Sequence, residues 1–592
     1  MARARCTVPK PRLKILARAL EHPRASLAIL VAAAVLALPS LGIGFFADDY
    51  VFIGALERRL PYSAPWWSLY RFVPDSAEQV RAAIEAGQFR WWTTETLRLH
   101  LVRPLTSALL SLDWRLFGHA AIGYHLHSIA WYLALVGAVS VLYRRLFSAR
   151  TSALATYIFA VSGALATPVA WASARHLLVV ALLVVLALIA HLRAAEDGWR
   201  PGRWLAPLLL ILALAAGEAG LSGIAYMIAF AVAGPTTQPR TRWPLRAAPF
   251  LAIGALYLLG YKLLGGGARG NAAYIEPLSS PGAFVVAAAE RLPILLGNAI
   301  AGVPAELASG FPHAPFILIG VAATLALIAL ARAVIPLLEG SDRVALRWLG
   351  LGALASLLVS LGGLPGARQL ALPGLFFAPL FAALLCRGFF DRPRLGRPHR
   401  VMLWSLFVVH VIAAPLVFIG NALSLASMAR KVEIVARSPV LAKPRVFIAV
   451  ASDPMAATYA LGVRLVEHPE ANPCWSLLSG ARATQRLTRR DAQTLVLEVE
   501  DGELLTGSFE TLYRDPSLPL AVGDEATQCG ARIRVAEVRD GRPTRVEVRL
   551  DVSFDDPRVA LVTWKDGALR PLVLPIGSTA ELSWSPGPMG FL

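Results

Sequence analysis

Two adjacent carboxylates, Asp48 and Asp49, follow directly on a long apolar stretch, in the string Phe45-Phe46-Ala47-Asp48-Asp49-Tyr50. At the edge of a low-dielectric layer, paired acids repel each other and lose hydration. That raises the pKa of at least one and suits it to act as a general base near neutral pH. The same pair could also simply stop a helix and stay in water. Three arginines, Arg103, Arg175 and Arg368, each sit in a turn beside an apolar segment. Guanidinium keeps its charge at low dielectric and offers paired donors, so three converging on one face can clamp a phosphate, whereas each alone is an ordinary interfacial residue. Glu218, within Ala216-Gly217-Glu218-Ala219-Gly220, can cap a helix or orient an arginine.

Other motifs carry less. Gly265, Gly267 and Gly270 match G-x-G-x-x-G but lack a strand-turn-helix context, and no P-loop is present. His125 and His127 form an H-x-H pair with no third ligand nearby in sequence, which favours packing or hydrogen bonding over a metal site. The sequence requires no cofactor and leaves a divalent cation open.

The elements that must position these residues are membrane helices. Of 592 residues, 56% are hydrophobic and 16% charged, too few charges for an ordinary soluble enzyme. The net charge of +18 comes from residues 1–442, so it reads as cytoplasmic membrane loops rather than a nucleic-acid surface. A bilayer core needs roughly 20 apolar residues as helix. About eleven windows qualify: 25–46, 120–143, 151–170, 176–192, 204–217, 219–234, 247–264, 314–335, 345–362, 370–386 and 401–424. Arg144, Arg145, Arg150, Arg240, Arg242, Arg246 and the run Arg387, Arg392, Arg394, Arg397, Arg400 then fall on one side. The positive-inside rule makes that side cytoplasmic, places the N-terminus inside and exports the C-terminus.

The expected architecture is a polytopic α-helical membrane protein of three parts: a basic cytoplasmic N-terminus (1–24), a multi-span catalytic domain (25–442) and a β-rich extracytoplasmic domain (443–592). Loop 47–118 carries Trp66, Trp67, Trp91, Trp92 and Trp114 among charges, the pattern of helices lying in the headgroup layer. Loop 265–313 is rich in Gly and Pro and is expected to fold over the outer mouth of the membrane domain. Beyond Lys443, strand-like runs at 445–450, 494–499, 532–538 and 544–550 alternate with Asp501-Gly502 and Asp540-Gly541 turn signals. Cys6 and Cys386 fall on the reducing side. Cys474 and Cys529 fall in the exported domain, where a disulfide can form.

Several segments together resemble a known family. They are Phe45–Tyr50, then Val102-Arg103-Pro104-Leu105, Leu112-Asp113-Trp114-Arg115-Leu116-Phe117-Gly118, Gly123-Tyr124-His125-Leu126, Pro168–Arg175, Gly217-Glu218 and Ala367–Pro373. The stretch 25–390 is similar to bacterial membrane glycosyltransferases of the C superfamily, in particular the branch that includes transmembrane tetratricopeptide-repeat O-mannosyltransferases. The resemblance implies inverting transfer of a hexosyl or pentosyl unit from a polyprenyl-phosphate carrier to a hydroxyl of a glycan, lipid or protein. That chemistry belongs at the outer face of a bacterial inner membrane. Mapped by motif, Asp49 (slightly preferred) or Asp48 is the base. Arg103, Arg175 and Arg368, with Asp113, His125 and Glu218, belong to the substrate and phosphate region. The repeat array is absent, and Ala172-Ser173-Ala174-Arg175-His176 stands where relatives often have a Gly-Arg-Lys-like sequence. The alternatives are a transporter or flippase, disfavoured by nearly charge-free spans and no visible repeat, and a non-catalytic envelope scaffold.

Overall fold

The computed structural model describes residues 17–60, 64–235, 240–390, 395–468, 473–584 and 587. Cys6, Arg392 and Arg394 lie outside them. The chain is a multi-pass helical membrane protein with a C-terminal β-rich domain. Among the described residues, eight helices are long and apolar enough to cross a membrane, or nine if the pair Ala149–Ala160 and Gly163–Ala170 is one span bent by 48°. That bend has local causes: Ser162 caps the second piece by accepting from the Ala164 amide, and Pro168 lies inside it. Gly202–Ala216, Glu218–Ala233 and Gly374–Phe390 are shorter apolar helices at three further expected positions.

One helix was not expected. Pro281–Ala301, within the stretch read as loop 265–313, is among the eight. Its Pro, Gly and charged residues disguise it. The disguise is resolved by burial: Arg291 donates to the carbonyls of Leu361 (2.9 Å) and Gly363 (3.0 Å), so its charge is met inside the protein. The segment before it pairs Gly267–Arg269 antiparallel with Arg98–His100, tying the two inter-helix stretches together.

The C-terminal domain has two sheets. In the first, Arg445–Val450 pairs in parallel with both Cys474–Ser479 and Val559–Lys565, and helix Pro454–Glu467 makes the crossover that a parallel pair needs. That helix is absent from the strand-only reading. The second sheet is six-stranded and antiparallel, and its longest hairpin turns at Asp540-Gly541, where both residues have positive φ (49° and 78°), as a tight two-residue turn demands. Cys474 and Cys529 form a disulfide, and Cys386 is buried.

This domain docks on the segment 47–118, and the docking corrects the interfacial reading of that segment's tryptophans. Trp66 and Trp67 are exposed, but Trp91 and Trp92 are buried against the C-terminal domain, with Trp91 Nε1 donating to the Leu478 carbonyl at 3.0 Å. Helix Ala77–Glu85, capped by Ser76, leads to the same contact. Gln528 Nε2 donates to the carbonyls of Ile84 and Phe89, and the Cys529 amide donates to Glu85 at 2.9 Å. Phe45, Phe46 and Tyr50 of the membrane domain share one apolar cluster with the domain's own core residues. Gly87 closes the helix at φ +75°, and a Cβ there would lie 2.6 Å from the Trp475 carbonyl oxygen. Gly87→Ala is therefore expected to weaken docking by about 1–3 kcal/mol. The check is limited trypsinolysis, in which cleavage after Arg90, buried in the wild type, becomes faster in the variant.

Candidate active site

Helix Asp48–Leu56 begins at a strained point, Ala47 having φ +52°. Asp49 secures it. One carboxylate oxygen accepts from the Phe46 amide (3.0 Å), and the other accepts from the Ser173 amide (2.9 Å) and the Ser173 hydroxyl. Asp49 is 4% exposed, and burial pushes its carboxyl up to about 7 against these opposing donors. It joins the end of the first span to the turn Ala172–Ala174. Tyr70 donates to the Ser173 carbonyl (2.9 Å) and Trp171 Nε1 to the Phe46 carbonyl (3.0 Å), closing the same joint.

Asp48, one residue earlier, is half-buried and turned elsewhere. Its Oδ1 accepts from the Tyr459 hydroxyl at 3.2 Å. Burial raises its carboxyl above the usual range, opposed by the Tyr459 bond and by the charges of Arg368 and Arg103. Half-buried Tyr274, His176, Arg368 and Glu218 belong to the same electrostatic neighbourhood. These half-buried polar groups gather around Asp48.

The arginines divide sharply. Arg175 is fully buried and saturated: it pairs with Asp113, donates from Nε to Ser128 Oγ (2.9 Å) and from a terminal nitrogen to the Tyr124 carbonyl (2.7 Å). Asp113 also meets His127 Nδ1 at 2.6 Å, and Trp131 donates to the other ring nitrogen of His127 at 2.8 Å. His125, likewise buried, donates to the Gly44 carbonyl at 2.8 Å. Arg103 makes a two-pronged pair with Glu218, one bond being 2.9 Å, and lies 4.7 Å from the Tyr70 ring centroid. Pro104 excludes helical geometry at Arg103, which leaves that residue at φ −130°, outside the helix it precedes. Arg368, in the turn Ala367–Leu370, is half-buried, stacks over Trp171 at 5.6 Å and has no ion-pair partner among the described residues.

Immediately after Arg368 the chain enters an apolar cavity of about 290 Å³. Leu370, Ala371, Phe377, Phe381, Phe159 and Val417 are among its walls, and it reaches the π-helical segment Val408–Ala413. Arg368 is two residues before Leu370, the first wall residue of that turn, and a cation close in the chain to an apolar cavity suits an amphiphile with an anionic head and a hydrocarbon tail. No group of three metal-ligating side chains occurs among the described residues.

Of the residues singled out from sequence, Asp48, Arg368 and Glu218 are half-buried and close enough to share one electrostatic neighbourhood, and Asp49 and Arg103 are buried beside them. Arg175, Asp113 and His125 form buried scaffolding. Cys474 and Cys529 lie in the docked domain. Tyr459, Tyr274, His176 and Ser173 were not singled out. Ser173 and its neighbour His176 lie in or beside the Pro168–Arg175 motif, whereas no local signal marks Tyr274 or Tyr459.

No protein-family model matches the sequence, and no curated protein matches it significantly. Among solved structures, the chain is similar to the oligosaccharyltransferase of Archaeoglobus fulgidus tethered with an acceptor peptide: 12% identity, TM-score 0.38, over 70% of this chain and 58% of that one. It is also similar to ArnT from Cupriavidus metallidurans bound to undecaprenyl phosphate: 14% identity, TM-score 0.40, over 89% of this chain and 98% of that one. The chain thus spans less than two-thirds of the oligosaccharyltransferase.

The division of the arginines is testable. Arg175→Ala strands the Asp113 carboxylate in the protein interior and is expected to cost about 3–5 kcal/mol, seen as loss of monodisperse protein in size-exclusion chromatography. Arg368→Ala breaks no ion pair among the described residues and should purify and melt like the wild type.

Proposed function

We propose that this protein transfers a sugar from a polyprenyl-phosphate carrier to an acceptor hydroxyl at the outer face of a bacterial inner membrane. The observation that carries the reading is a half-buried carboxylate, Asp48, within electrostatic reach of Arg368, a guanidinium with no ion-pair partner among the described residues and two residues before a wall residue of the apolar cavity. Asp48 takes the role first given to Asp49, because Asp49 is buried and its carboxylate is held by three structural donors, out of reach of an acceptor hydroxyl. A base must lie within hydrogen-bond reach of the proton it removes.

In this reading the carrier's hydrocarbon lies in the cavity and its phosphate meets Arg368. Asp48 removes the proton from the acceptor hydroxyl as its oxygen bonds to the anomeric carbon. The bond from that carbon to the phosphate oxygen breaks, and the carrier phosphate leaves with the electron pair, gaining one negative charge. Attack opposite the leaving group inverts the anomeric centre. The cation gains most where charge develops, so Arg368 stabilises the transition state more than the bound donor. The Arg103–Glu218 pair holds a second guanidinium near Asp48 while cancelling much of its net charge. Arg175 is removed from the phosphate role by its complete burial and saturation. No step draws on a bound cofactor, and the acceptor enters beneath the C-terminal domain.

The test uses full-length protein in lipid nanodiscs with radiolabelled undecaprenyl-phosphate hexoses and pentoses, scoring release of sugar from the lipid with and without acceptor glycans, lipids and peptides. Asp48→Asn is expected to reduce release at least about 100-fold with unchanged melting. Arg368→Ala should lower release without loss of folded protein. Asp49→Asn should instead lower thermal stability, because its amide N–H₂ faces the donating Phe46 N–H. Wild-type release by the Asp48 variant would overturn the reading. A donor that binds without being consumed, and that moves across vesicles, would replace it with lipid transport.

A further inference from the structure

Tyr459 lies 411 residues along the chain from Asp48 and belongs to the C-terminal domain, yet its hydroxyl reaches the Asp48 carboxylate. The placement is firm at several points. Helix Pro454–Glu467 is capped by Asp453, whose carboxylate accepts from the Ala456 amide at 2.8 Å. Arg464, farther along, donates to the carbonyl of Ala436 at 2.6 Å, fixing the helix to the end of helix Ala414–Ala436. The Tyr459 ring lies 6.5 Å from that of Phe46, the residue whose amide holds Asp49. A residue bound only by chance would not be braced against both the membrane domain and the strained start of the helix that carries Asp48.

The carboxylate has two oxygens, and the bond from Tyr459 goes to Oδ1. We propose that Tyr459 is a positioning residue for the transfer reaction: it orients Asp48 by donating to Oδ1 and leaves Oδ2 to receive the proton of the acceptor. The C-terminal domain thereby supplies a group of the catalytic centre. This rests on Asp48 being the base.

The charged and titratable groups around Asp48 set what the bond can do. Asp49 stands beside it on its own helix, Arg103 approaches from the start of helix Pro104–Phe117, and Arg368 from the turn Ala367–Leu370. Tyr274 comes from the loop after Gly267–Arg269, Tyr70 from the first external loop, and Tyr459 and Tyr513 from the C-terminal domain. Among these, Tyr459 is the one hydrogen-bonded to the carboxylate. A donor to the ionised form favours ionisation, so its loss moves the titration to higher pH, while both arginines still oppose the move.

Tyr459→Phe keeps the ring and removes the bond. Two readouts on the full-length protein in nanodiscs are compared with the wild type. The first is the pH profile of kcat/KM with the donor consumed in the panel above, whose acid limb is expected to move up by about one pH unit, with activity recovering toward wild type above it. The second needs no turnover: the carboxyl infrared band assigned to Asp48 by subtracting Asp48→Asn should titrate at correspondingly higher pH. Thr458→Ala, which alters the same helix one residue away without touching Asp48, should leave both unchanged. An unshifted infrared titration in Tyr459→Phe overturns the proposal, as does a shift equalled by Thr458→Ala. If the band moves but Asp48→Asn still turns over, the contact stands and the base assignment falls. If Asp48→Asn is inactive and the band does not move, the base assignment stands and the positioning role falls.

Discussion

The joint made by Asp49 is the constraint on which the site depends. An apolar span ends in water, and the next helix must start immediately, at a non-glycine residue with positive φ. That start is held because a carboxylate behind it collects the Phe46 and Ser173 donors. Successive residues on a helix point about 100° apart. Pinning Asp49 inward therefore turns Asp48 in another direction, toward Tyr459 of the docked domain.

The same logic sorts the basic residues. A buried charge is tolerated only when paired and hydrogen-bonded. Arg175 meets that demand completely with Asp113, Ser128 and the Tyr124 carbonyl, and so belongs to the frame. Arg103 meets it with Glu218, whose own side chain stays half-buried. Arg368 escapes the demand by remaining half-exposed over an indole, which leaves its donors for something else. A site built this way has little net charge when empty, while one cation is kept available beside the cavity.

The docked domain ties the inter-helix stretches together. Its backbone joins both of them: Tyr513 accepts from the Thr94 amide (3.1 Å), and Thr511 accepts from the Ala272 amide (3.0 Å). Arg514 adds a bond to the Trp92 carbonyl at 2.6 Å. These contacts place Tyr459 and Tyr513 over helix Asp48–Leu56 and bury Trp91 and Trp92, side chains that would otherwise suit a lipid interface.

The sequence by itself determined the membrane class and most helices, because transfer of apolar stretches into a bilayer depends on composition and length alone. It also determined the principal strands of the C-terminal domain and the Asp540-Gly541 turn, which follow from alternation and local φ preference. It marked Asp48, Arg103, Glu218 and Arg368 as candidates. Helix Pro281–Ala301 escaped notice because Arg291 looks like a loop residue until distant carbonyls receive it. Only the tertiary structure decided which acid is reachable, which arginine is uncommitted and that Tyr459 meets Asp48. Those outcomes depend on burial and on partners far away in the chain, such as the Ser173 donors that claim Asp49, and neither residue type nor spacing encodes them.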